Sequence, residues 1–197
     1  MADVKIRLAQ AEDAEAVAAI YREHVTDEAI TPEVEPPTGH EMACRICDCG
    51  AFYPFLVCEL DGKVVAYAYA CRHLEGSVFN WGATASTYVS KQVGGRGIGC
   101  ALLDAMEETL RAMGVVNLYS LVIYNAKIEY FHLARGFSEV GRLREAAYKG
   151  GRWRDLAYFE KSLALHEENP QAARPVQEVG AEKLAQIFEQ ARKRIKL

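Results

Sequence analysis

Residues 87–105, from Thr87 to Ala105, read TYVSKQVGGRGIGCALLDA, and the rest of the chain takes its meaning from them. A β-branched and apolar run passes into Gly94, Gly95, Gly97 and Gly99, and then into Ile98, Leu102, Ala105 and Met106 at helical spacing. Glycine permits backbone conformations closed to other residues and lets the backbone approach a ligand closely. The free N–H groups that open a helix, with the positive end of its dipole, attract a phosphate. A strand, a glycine loop carrying Arg96 and a helix therefore read as an anion cradle. The register excludes a P-loop, because no Lys-Ser or Lys-Thr follows the last glycine, and GxGxxG fails as well. A flexible surface loop is the plain alternative.

Outward from the cradle, Phe79 to Ser90 predicts a long central strand. Phe79, Trp81, Ala83, Ala85, Thr87 and Val89 share one face, and Thr84, Ser86 and Tyr88 the other. Downstream, the loop helix ends near Gly114, and VNLYSLVI is apolar enough for a buried parallel strand. Ala126 to Arg135 predicts a helix closed by Gly136, and two strands meet around Lys149-Gly150-Gly151. Upstream, Val4 to Leu8 predicts a strand and Gln10 to His24 a helix. The proline-rich acidic stretch VTDEAITPEVEPPTG is a loop, and Thr38 caps a helix to about Gly50. FLVCEL and KVVAYAYAC flank Asp61-Gly62, a strong hairpin signal. Strands alternating with helices around a mixed sheet give an α/β or α+β sandwich.

With 197 residues, half of them hydrophobic, the chain can bury a full core. A net charge of −4 gives no general attraction to nucleic acid or an anionic membrane. No apolar run approaches the roughly 20 residues that span a bilayer, and acids interrupt the first residues where a signal peptide would be apolar. A cytoplasmic protein with reduced thiols is expected. His40, Cys44, Cys47 and Cys49 lie in HEMACRICDC, but no distant CxxC completes a tetrahedral set, so no metal is expected. His40, Cys44 and Cys47 then share one helix face with the thiols as small hydrophobes. Residues 1–165 form one domain, 166–178 a linker, and 179–197 a helix with Leu184, Ile187, Phe188, Ala191 and Ile195 along one face. Arg192, Lys193, Arg194 and Lys196 suit its last turn.

GGRGIG followed by xALL resembles the acetyl-CoA pyrophosphate loop of the GNAT acetyltransferases. ITPEVEPPT (30–38), DGKVVAYAYA (61–70), NAKIEYFHLARGF (125–137) and VGRLREAAYKGGRWRDLAYFEKSL (140–163) look like its phosphinothricin acetyltransferase branch. The resemblance implies a mostly antiparallel central sheet flanked by helices, a homodimer, and acetyl transfer from acetyl-CoA to a small, amino-acid-like amine. It implies that Gly94, Gly95, Arg96, Gly97, Ile98 and Gly99 hold the pyrophosphate, that backbone near Tyr88 and Val89 polarises the thioester, and that Asn125 contacts the pantetheine arm. His132 matches the branch's histidine, suited to proton transfer near neutral pH. Glu33 and Glu35 lie on the loop that walls the acceptor.

The departures lie on the central strand. Where the branch reads Tyr-Arg-Trp-Thr-Val-Glu, this chain reads Phe79-Asn80-Trp81-Gly82-Ala83-Thr84, so its base carboxylate is Thr84 and a substrate-contacting arginine is Asn80, beside Trp81. Threonine is no base at neutral pH. Water reached through Thr84 or Ser86, His132, or Glu33 or Glu35 could replace it. A catalytically weak acyl-CoA-binding regulatory module is the alternative.

Overall fold

The computed structural model describes residues 3–25 and 31–196; Met1, Ala2, residues 26–30 of the acidic loop and Leu197 lie outside the described residues. In chain order the elements are β1 (Val4–Leu8), α1 (Ala14–Val25), α2 (Gly39–Gly50), β2 (Phe55–Leu60), β3 (Lys63–Arg72), β4 (Gly82–Val89), α3 (Ile98–Met113), β5 (Asn117–Ile123), α4 (Ala126–Ala134), β6 (Ser138–Lys149), β7 (Arg152–Ser162) and α5 (Ala181–Arg192). The strands form one seven-stranded sheet in the order β1-β2-β3-β4-β5-β7-β6. Among the described residues only β4 and β5 run parallel; every other neighbouring pair is antiparallel. This is the mixed, mostly antiparallel sheet that the sequence predicts.

Alternation along the strands sets two cores. Ala68, Ala70, Ala83, Ala85, Leu118 and Phe159 pack with α3 on one face, while Phe55, Val57, Tyr67 and Tyr88 pack with α1 and α2 on the other. Small residues on β3 and β4 let α3 approach the sheet, and the aromatic side chains fill the wider space under α1 and α2. Local signals act where the sequence places them. Thr38 and Glu41 form a reciprocal capping box at the start of α2. Asp61 and Gly62 both have positive φ, 49° and 75°, as a type I′ turn requires.

Two expectations are corrected. The central strand begins at Gly82, because Ser77–Phe79 form a 3₁₀ turn in which the N–H groups of Phe79 and Asn80 bond back to Gly76 and Ser77. On α2, Cys44 and Cys47 are exposed and Met42 and Ile46 carry the buried face, so those two thiols do not serve as core hydrophobes.

The C-terminal part is joined to the sheet domain at many points. Arg174 N–H donates to Met113 O (2.9 Å), Val176 N–H to Phe52 O (2.8 Å) and Trp81 Nε1–H to Gln171 O (2.7 Å). Leu184, Ile187, Phe188 and Ala191 of α5 are buried in the same core as α3. Full burial of each larger side chain is worth about 1.5–3 kcal/mol. Beyond α5, Arg194 pairs with Asp104 of α3 (2.7 Å), and Lys196 N–H donates to Arg96 O (2.9 Å). The described residues beyond α5 thus reach the glycine loop.

Candidate active site

The loop behaves as its glycines dictate. Gly95 and Gly97 have φ of 82° and 78°, in the left-handed region, and Gly97 opens α3. The first helical bond runs from Ala101 N–H to Gly97 O, so the N–H groups of Ile98, Gly99 and Cys100 have no intrahelical acceptor. A Cβ on Gly99 would lie 3.3 Å from Val89 Cγ2, so its absence sets how closely helix and strand meet. Arg96 is exposed, and its guanidinium has no partner among the described residues. Glu23 of α1 fixes the loop's entry, accepting from Ser90 Oγ (3.0 Å) and Lys91 N–H (2.7 Å). Gly94, Gly95, Arg96, Gly97, Ile98 and Gly99 therefore stand together at one helix start, where partial positive charge gathers.

Beside the loop the sheet opens. β4 and β5 pair only at Gly82↔Asn117, Ala83↔Leu118 and Thr84↔Tyr119. Beyond Thr84, β4 stays with β3 as far as Val89↔Ala66, and β5 stays with β7 as far as Ile123↔Leu156. A gap therefore lies between β4 and β5, with Tyr88 and Val89 on one bank and Asn125 just past the other. Ser90 N–H is taken by Val65 O on the β3 side (2.9 Å). Successive N–H groups alternate along a strand, so that of Val89 faces the gap. Asn125 Oδ1 caps α4 by accepting from Ile128 N–H (2.9 Å).

The titratable residues separate by face. Thr84 and Ser86 lie on the α1/α2 face of β4, with Tyr88. Glu33 approaches this face from the acidic loop, its carboxylate held by Tyr21 Oη (3.1 Å) and Arg45 (2.7 Å). Glu35 is exposed. Asn80 accepts from Arg72 (3.2 Å), and Trp81 lines a cavity of about 320 Å³ at the amino end of β4.

His132 lies on the opposite face, in the α3 layer, and is 9% exposed. It stacks on Phe159 at 4.6 Å. A backbone carbonyl only accepts, so the 2.8 Å contact with Ile128 O places the hydrogen on Nδ1, and Nε2 then accepts from Ser120 Oγ at 2.9 Å. Burial lowers its pKa, partly offset by the bond to Ile128, and the ring is neutral at neutral pH. The structure does not bring His132 and Thr84 together.

It brings His73 to Thr84 instead: the Nδ1–Oγ1 distance is 2.8 Å. Sequence reasoning missed His73 and its stacking partner Tyr119. The available signal was Gly82, since a glycine inside a strand marks a close approach.

Comparisons with known proteins agree with this geometry. Residues 6–157 match the family model described as the acetyltransferase (GNAT) domain. The phosphinothricin N-acetyltransferase of Streptomyces viridochromogenes is 28% identical over 177 residues, covering 89% of this chain and 96% of the relative. The L-methionine sulfoximine/L-methionine sulfone acetyltransferase of Pseudomonas paraeruginosa is 32% identical, covering 80% of this chain and 94% of the relative. Among solved structures, a GNAT phosphinothricin acetyltransferase from Sinorhizobium meliloti, in complex with AcCoA, superposes with a TM-score of 0.80 at 30% identity over 85% of this chain and 93% of its own. The loop, the parted strands and a match that spans most of the sheet together place this chain in the GNAT acetyltransferase family.

Proposed function

We propose that the chain is an acetyl-CoA-dependent N-acetyltransferase acting on the amino group of a small, amino-acid-like acceptor of the phosphinothricin or methionine sulfoximine class. The observation that carries this reading is the adjacency of the anion cradle to the gap between β4 and β5. The N–H groups of Gly95 to Gly99, with Arg96, hold the pyrophosphate of acetyl-CoA. The pantetheine arm runs into the gap past Asn125, and Val89 N–H polarises the thioester carbonyl. The acceptor lies on the α1/α2 face, over Thr84 and Ser86 and against the Glu33–Glu35 loop, with Asn80 and Trp81 at its far side. Holding two reactants in line supplies much of the rate. His132 reaches the reaction only through Ser120 and so orders that hydroxyl.

A panel of amino acids and their analogues, assayed by release of free CoA, tests the reading. Amine-dependent CoA release is the expected outcome. Tight CoA binding with no turnover of any amine would favour the acyl-CoA-binding module. The protein is cytoplasmic and homodimeric in this proposal: no described helix is long and apolar enough to cross a membrane, and Leu143, Tyr148 and Trp153 are exposed apolar groups on the β6–β7 hairpin. Sedimentation at micromolar concentration checks the dimer.

A further inference from the structure

We infer that His73 takes the acceptor's proton in this chain, through the hydroxyl of Thr84, and so replaces the carboxylate missing from β4. The inference rests on the acetyltransferase reading. Three features converge on the imidazole. Its Nδ1 is 2.8 Å from Thr84 Oγ1. Its ring stacks on Tyr119 with centroids 3.8 Å apart and planes 14° apart. Gly82 lies under the stack, where a Cβ would be 3.2 Å from Tyr119 Cε2 and 3.7 Å from His73 Cβ. Gly82 and Thr84 are both smaller than the residues of the resembled branch, and the space they leave is the space the stack fills.

Among the described residues no other group on this face is so placed. Burial holds the protons of Tyr21, Tyr69, Tyr88 and Tyr119 more tightly. Tyr21 and Arg45 occupy the Glu33 carboxylate. His132 is on the other side of the sheet. Cys71 and Arg72 end β3 just before His73, Thr84 and Tyr119 meet it from β4 and β5, and His166 and Glu167 share its cavity. Burial lowers the His73 pKa, which keeps the ring neutral and able to accept near neutral pH.

The transfer balances. The acceptor ammonium gives one proton to Thr84 Oγ1 as the Thr84 hydrogen passes to His73 Nδ1. The freed lone pair forms the N–C bond at the thioester carbonyl, the C–S bond breaks, and its electron pair leaves as the CoA thiolate. The second proton lost by the new amide nitrogen neutralises that thiolate, and the imidazolium returns its proton to water.

The test compares full-length wild type with His73→Asn and Thr84→Val, using the best amine of the panel and hydroxylamine, a nucleophile already neutral at neutral pH. Both variants should lose about 100- to 10,000-fold in kcat/KM for the amine. Both should lose less than about tenfold with hydroxylamine, which needs no base, and keep the KM for acetyl-CoA. The wild-type profile should fall at acid pH as the imidazole protonates, and this limb should vanish in His73→Asn. Equal losses with both nucleophiles, unchanged amine turnover, or a persisting acid limb would overturn the inference. If His73→Asn does not fold, Thr84→Val and Gly82→Ala, which displaces the stack, decide the matter with the same two nucleophiles. A wild type that acetylates no amine refutes the acetyltransferase reading and this inference with it; an active wild type indifferent to His73 refutes the inference alone.

Discussion

The two ends of β4 solve different problems by different means. At its carboxyl end the strand runs into a loop that works through backbone: N–H groups, a helix start and glycine dihedrals. At its amino end side chains gather around a glycine and a threonine: His73, just past β3, and Tyr119 of β5. A backbone site has one geometry and tolerates little change in residue type, so it is written in a short motif. A side-chain site can be rebuilt, because a side chain just past the end of a neighbouring strand can reach the same point as one on β4. In the proposed function, the donor half is therefore built from backbone and the acceptor half is free to vary with the substrate.

The largest way to break this contrast is Gly97→Val. A side chain there meets both a φ of 78° and Arg194 O at 3.1 Å from the new Cβ. Strain of about 1–3 kcal/mol should weaken acetyl-CoA about 10- to 100-fold and largely abolish the rise in melting temperature that CoA gives by mass action. An undiminished CoA shift in a folded variant would disprove the backbone account.

Next comes His132→Asn, which removes the stack on Phe159 and leaves Ser120 without its acceptor, at about 1–3 kcal/mol. The melting temperature should fall by several degrees. The pH dependence has a definite sign. A buried histidine whose pKa is lowered gives its full contribution above the unfolded value, roughly 6.5, and that contribution is lost as pH falls from there toward the folded value. The variant should lose less stability than wild type between neutral and acid pH in thermal melts at matched ionic strength.

Removing residues 193–197 takes away the Lys196–Arg96 bond and the Arg194–Asp104 pair. The KM for acetyl-CoA should rise about three- to tenfold with the acceptor KM unchanged, in keeping with the loss of one or two hydrogen bonds. Arg45→Ala should do the reverse. It leaves Glu33 held by Tyr21 alone, so the acceptor KM rises a few-fold and the acetyl-CoA KM stays, while an exposed pair costs less than about 1 kcal/mol of stability. Steady-state kinetics with each substrate varied in turn separates these two variants.

What could be read in the sequence follows the same division. The glycine loop at a helix start, the Asp61-Gly62 turn, the Thr38 cap and the parallel strand after α3 all rest on local spacing or turn chemistry, and each was legible. The start of β4 was not, because Phe79 and Trp81 alternate correctly with their neighbours while the 3₁₀ turn after Gly76 consumes the backbone bonds a strand would need. His73 was not legible either. It lies just past the end of β3, and its contact with Thr84, 11 residues away, is set by the β3–β4 register and by the space over Gly82. The exposure of Cys44 and Cys47 depends on how α2 is rotated over the sheet, which helical spacing alone does not fix.

Lys196 donates a hydrogen bond to the loop proposed to hold acetyl-CoA, and this has a practical side. A change at Arg194 or Lys196 falls close to Arg96 and Gly97. In the proposed function, protein altered there reports a changed acetyl-CoA affinity. Likewise, an expression boundary drawn at the end of the matched family segment, residue 157, would delete the second half of β7 and all of α5, and so strip one wall from the hydrophobic core.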